Sequence, residues 1–123
     1  MLIIVAIAVG GAIGALLRYG LTLGSSTVWG DSFPYGILIA NVMGCLLIGV
    51  FYSIYQEKVI SPEMRSFIQI GLLGAFTTFS TFSLDTLKLL EQGSLMQAGL
   101  NILLTLVLSL LATWIGLSVG RRI

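Results

Sequence analysis

The chain has no histidine and one cysteine, Cys45. Without a cluster of His and Cys there is no site of the usual kind for a transition metal. A lone thiol cannot build a disulfide framework. Charge is scarce: charged residues make up 9% of the 123 positions, where a soluble domain carries about 25%. The net charge of +1 offers no basic patch, which argues against a nucleic-acid partner.

What charge there is leaves four long gaps. None occurs from Met1 to Leu17, from Ser32 to Gln56, from Ser66 to Leu84, or from Gln92 to Gly120. A bilayer-spanning helix needs about 20 mostly apolar residues. Four such spans fit, Leu2–Leu23, Tyr35–Tyr55, Ser66–Leu90 and Ala98–Val119. With a mean hydropathy of +1.06 they consume most of the chain. The expectation is an all-α integral membrane protein, residues 1–123 forming a single four-helix transmembrane domain. The first span lacks the basic n-region of a signal peptide, and its apolar run is too long for one.

The expected loops are short. Gly24–Pro34 is turn-like, with Ser25, Ser26, Gly30, Asp31 and Pro34. In Gln56–Arg65, Ser61-Pro62-Glu63 reads as a helix start, with Ser61 as N-cap and Pro62 in the first turn. Glu91–Gln97 carries Gly93-Ser94. Four spans put both termini on one side, with Lys58, Arg65, Arg121 and Arg122. Arg18 and Lys88 belong to the other. Four basic residues against two give a weak preference for cytoplasmic termini, compatible with insertion in both orientations. Gly10-x-x-x-Gly14, Gly116-x-x-x-Gly120, Gly44 and Gly49 allow close helix approach, either within the chain or at a dimer face.

The third span is the unusual one. Phe76–Ser83 reads F-T-T-F-S-T-F-S, with no Leu, Ile or Val at membrane depth. Gly71 and Gly74 precede it. Glycine weakens a helix, and Thr and Ser compete for its backbone hydrogen bonds. A helix break near Gly74–Thr78 is expected. Irregular backbone at this depth is tolerated only where it is buried in protein or lines a cavity, and its freed carbonyls suit Na⁺. Phe76, Phe79 and Phe82 would form one slanting stripe flanked by hydroxyls. Ring edges are electropositive, so edges and hydroxyls together can meet a small anion without a tightly binding cation. Asn41 in the second span either bonds to a neighbouring helix or offers its NH₂ to a pore. Asn101, Thr105, Ser109 and Thr113 fall at i, i+4 spacing and make one polar line on the fourth span.

G-x-x-G-x-x-T-T-F-S-T-F-S in the third span, together with Asn41, Arg18, the length and the four spans, resembles the fluoride ion channels of the Fluc/CrcB family. Asp85 stands where such proteins usually have Glu, and Ala75 where many have Gly. The resemblance covers nearly the whole chain. It implies a fluoride-specific channel that exports cytoplasmic fluoride passively and confers fluoride resistance, not an enzyme. It implies an antiparallel, dual-topology homodimer with two pores, in the plasma (inner) membrane of a prokaryote and in contact with lipid. Phe79 and Phe82 match the pore phenylalanines and Asn41 the pore asparagine. Ser80, Thr81 and Ser109 match polar-track positions, and Arg18 a vestibule arginine that otherwise would snorkel to the interface. A structural Na⁺ at the dimer centre would be held by the backbone carbonyls of Gly74 and Thr77.

Two other readings compete. A small four-helix drug/proton antiporter needs an ionisable group at depth. Asp85 alone could serve, and an i, i+3 ion pair with Lys88 near the interface explains it better. A non-transporting membrane subunit would use the Phe/Thr/Ser run only as a helix contact.

Overall fold

The computed structural model describes residues 1–123. It is wholly helical: α1 Leu2–Trp29, α2 Tyr35–Glu57, α3 Pro62–Arg65, a π-helical segment Ser66–Leu73, α4 Gly74–Phe76, α5 Phe79–Glu91 and α6 Leu95–Gly120. The pieces from Pro62 to Glu91 make up the third span. Four helices are long and apolar enough to cross a membrane. Large Leu, Ile and Val side chains of all four spans point outward. The buried positions of α2 are instead largely small or polar: Gly36, Ala40, Asn41, Gly44, Gly49 and Ser53. That inversion is what a lipid solvent favours, since apolar side chains gain nothing by leaving it.

Small residues set the two tightest seams. α1 lies on the π segment. A Cβ on Gly71 would meet the Ile7 carbonyl at 2.8 Å, and one on Gly10 would meet the Phe67 carbonyl at 2.5 Å. α2 lies on α6, where a Cβ on Gly49 or Gly116 would run into the backbone of the facing helix. A Cβ on Gly120 would meet the Ser53 Cβ at 2.6 Å. The paired glycines of both spacing motifs therefore serve contacts inside the protomer. α1 also touches α2 and α4, and α5 rests on α6.

Boundaries differ from expectation in instructive ways. α1 runs six residues beyond Leu23, through much of the expected loop. Thr22, Ser25 and Thr27 return their hydroxyl protons to the carbonyls of Arg18, Thr22 and Leu23 at 2.9–3.0 Å, so the hydroxyls travel with the helix. Gly30, at φ +78°, then ends it. The third span does begin at the expected cap, with Ser61 Oγ accepting from the Met64 N–H at 3.2 Å. Ser66–Leu73 was expected as ordinary α-helix and instead adopts the wider π turn, a form frequent at functional sites.

Candidate permeation site

The third span breaks where its glycines and hydroxyls suggest. After Phe76 the backbone turns extended at Thr77 (φ −87°, ψ 156°) and Thr78 (φ −154°, ψ 119°), and α5 begins at Phe79. The Thr77 N–H still donates to the Leu73 carbonyl at 3.1 Å, and the other partners of the break come from side chains. Asn41 on α2 is bidentate on Thr78: its Oδ1 accepts the Thr78 N–H at 2.8 Å, and its Nδ2 donates to the Thr78 carbonyl at 3.2 Å. Arg18 on α1 donates from Nε to the Ala75 carbonyl at 3.1 Å. Thr78 Oγ1 caps α5 by accepting the Thr81 N–H at 3.1 Å.

These bonds redirect two amides. Thr78 N–H serves Asn41 rather than the Gly74 carbonyl one turn back. Thr81 N–H serves the Thr78 hydroxyl rather than the Thr77 carbonyl. The Gly74 and Thr77 carbonyls thus lack the amide partners of a continued helix, and Gly74 itself is exposed on the protomer surface. Uncharged oxygens of this kind suit a hard cation.

A cavity of about 260 Å³ lies beside the break, between α2, α5 and α6. Asn41, Cys45, Thr78, Phe79, Thr105 and Ser109 help to line it. The hydroxyls of the polar line on α6, of which Thr105 and Ser109 line this cavity, are not equivalent. Thr105 donates to Asn101 Oδ1 at 3.4 Å, and Thr113 donates to the Ser109 carbonyl at 3.1 Å. Both protons are committed, and those oxygens can offer only lone pairs. Ser109 Oγ is buried with no partner at all. Of the polar line on α6, it is the hydroxyl with a proton to give.

Of the other expected site residues, Phe79 lines this cavity, whereas Phe82, Ser80, Thr81 and Arg18 do not. Phe79 is 73% exposed and Phe82 only 7%, and their rings meet at 5.4 Å with planes tilted by 56°. Phe76 is buried on the far side of the break, so the three rings do not form the single stripe a continuous helix would give. Thr81 lines a different cavity of about 350 Å³, with Arg18, Tyr19, Thr22 and Asp85. Ser80 is exposed at the start of α5, its Oγ 3.2 Å from Thr78 Oγ1. Arg18 does not snorkel; its guanidinium is held at the break while its side chain walls this second cavity. A third, polar recess of about 290 Å³ at the end of the bundle shares Thr22, Ile37 and Asp85 with it and adds Asp31 and Lys88. Asp85 and Lys88 face this recess without closing the ion pair expected of them; no N–O approach falls within 4.0 Å. Both of Asn41's readings have support. It bonds to a neighbouring span and also lines a cavity.

Sequence reasoning missed the hold of Arg18 on Ala75 and the bond of Asn101 to Thr86. Neither leaves a local signal, because each pairs a side chain with an element distant in sequence.

The fold and site together define a small four-span membrane protein whose third span is broken by design and clamped by its neighbours. The model of the CrcB-like protein family, Camphor Resistance (CrcB), matches residues 5–117, and the chain belongs to that family. Proteins named Fluoride-specific ion channel FluC resemble it along most of their length. One from Shewanella amazonensis is 50% identical over 110 residues, 89% of each chain. Others from Shewanella baltica and from Shewanella sp. strain ANA-3 are 49% and 47% identical over the same coverage. The chain is a multi-pass membrane protein.

Proposed function

We propose that this protein is a fluoride-specific channel of the plasma (inner) membrane of a prokaryote, exporting cytoplasmic fluoride passively. One observation carries the reading: a cavity at the helix break is lined by Asn41, Phe79 and Ser109, and the Ser109 hydroxyl is buried without a hydrogen-bond partner. Fluoride is strongly hydrated, and its bare transfer into a low-dielectric core would cost on the order of tens of kcal/mol. Donors must replace water in steps. Arg18 in the wider outer cavity attracts the anion without entering the narrow part. The Ser109 hydroxyl, the second N–H of the Asn41 amide and the edges of the Phe79 and Phe82 rings then supply positive ends of dipoles. None carries a full charge, so the ion leaves as readily as it binds. A membrane potential negative inside drives exit by about 2.3 kcal/mol per charge per 100 mV. The antiporter reading is disfavoured, because Asp85 faces the outer recess rather than the break.

A second copy of the chain, inserted the other way, completes the site in this reading. Gly74 and Phe79 are exposed at membrane depth beside unsatisfied backbone, which lipid does not tolerate. An antiparallel partner would cover the break, close each cavity into a pore and give two pores per dimer. The Gly74 and Thr77 carbonyls of the two copies would hold a structural Na⁺, whose charge neutralises the facing oxygens. Thermal stability in detergent should then be higher in Na⁺ than in an equal concentration of N-methyl-D-glucamine, and equal melting in the two would remove the ion from the proposal.

The function is tested with purified protein in liposomes loaded with fluoride or chloride. Fluoride should leave far faster than chloride. Equal rates for both ions, or none for either, would overturn the channel reading.

A further inference from the structure

Away from the cavity, α5 and α6 are joined by a buried run of side-chain hydrogen bonds. Asn101, 2% exposed, donates from Nδ2 to Thr86 Oγ1 at 2.9 Å. Thr86 in turn donates to the carbonyl of Phe82 at 2.8 Å. Thr105 donates to Asn101 Oδ1, so the orientation of the amide is set by what it accepts as well as by what it gives. The direction of every bond is thereby fixed, and the run ends on the backbone of Phe82, whose ring meets that of the cavity-lining Phe79.

We propose that Thr86 and Asn101 are positioning residues for Phe82: they tie its backbone to α6 and so hold its ring in register with Ser109. The inference rests on the fluoride-channel reading. The geometry supports it in three ways. Asn101 belongs to the polar line of α6 yet does not face the cavity; its amide is wholly engaged with α5 and Thr105. α5 packs much less extensively on α6 than α2 does, and the Asn101–Thr86 bond is the side-chain hydrogen bond that joins the two. Phe82 meets Phe79 ring to ring, so a shift of its backbone reaches the cavity wall directly. Asn101 and Ser109 lie eight residues apart on one rigid helix, which makes α6 the common ruler for both sides of the path.

The test uses the full-length protein with 4-fluorophenylalanine at position 82, read by ¹⁹F NMR, and fluoride efflux from liposomes. Thr86→Val keeps the shape and removes both bonds. Flux should fall about tenfold, the scale of one buried hydrogen bond, and the single narrow ¹⁹F resonance should broaden or split. Thr86→Ser restores the hydroxyl and should return both readouts to those of the parent. Asn101→Leu is the second variant, chosen because Thr105 can then return its proton to its own i−4 carbonyl and no donor is stranded. It should repeat the Thr86→Val signature, and decides the matter if Thr86→Val does not fold. Unchanged flux, or reduced flux with an unchanged resonance, overturns the proposal. If the parent protein conducts no fluoride, the channel reading fails instead, and the resonance alone still reports whether these bonds hold the ring.

Discussion

At the scale of single residues, the decisive property is where each hydroxyl proton goes. Ser, Thr and Asn crowd the third and fourth spans, and composition alone treats them as equivalent. The structure sorts them. Thr105 and Thr113 have given their protons to protein acceptors, and Ser109 has not. Ser109→Ala should therefore lower fluoride efflux about tenfold, as expected for one lost donor. Thr113→Val should leave it within about twofold, because its proton already rests on a carbonyl. Efflux from liposomes measures both, and equal losses would show that the polar line acts as a whole. The ring pair has its own check. Phe79→Ile and Phe82→Ile keep apolar bulk and lose the electropositive edge, so both should cut flux while chromatographic assembly is unchanged. Near-normal flux would reduce the rings to packing.

At the scale of elements, the break is kept open by Asn41 rather than by its own sequence alone. Asn41→Leu removes two hydrogen bonds and strands the Thr78 N–H and carbonyl. The loss should be about 1–2 kcal/mol given the modest worth of interhelical bonds in membranes, seen as a lower unfolding midpoint in detergent titration. Asn41→Asp keeps the acceptor and should recover part of it. The four spans were legible because charge gaps of this length have few other meanings in a chain so apolar. The break was legible because Gly74 and the Thr and Ser that follow weaken the ladder locally. The π segment was not, since Gly71, which seats on α1 within it, looks the same in sequence whether the turn around it is α or π. α1 runs past its expected end; Ser and Thr look the same in sequence whether they leave a helix or back-bond to it. The phenylalanine stripe presumes a continuous helix, and two extended residues, Thr77 and Thr78, rotate Phe76 away. Asn41, Phe79 and Ser109 were each singled out from sequence. That they share one cavity, and that Thr81 and Arg18 share another, needed the packing of α1, α2 and α6.

At the scale of the whole molecule, the glycine seams are used inside the chain, so the proposed pairing with a second copy would rely on other surface. In that proposal the exposed break and Phe79 would mark where the surface lies. Orientation can be tested separately from pairing. Replacing Arg121 and Arg122 with neutral residues leaves two basic residues on each side. Labelling of terminal tags should then find both orientations in comparable amounts. A parent protein found wholly in one orientation would contradict an antiparallel homodimer and favour a related chain inserted the other way.

The clamp of Asn41 and Arg18 on the broken span also bears on the order of events during biogenesis. Both clamps come from earlier spans of the same chain, so they are in the bilayer before the third span arrives. The third span can therefore take its broken contour from contacts within its own chain, and in the proposed dimer a second copy would then cover the backbone that the break exposes. Pairing on that reading is an encounter of two chains diffusing in the plane of the membrane, and its rate would depend on how many chains share that plane.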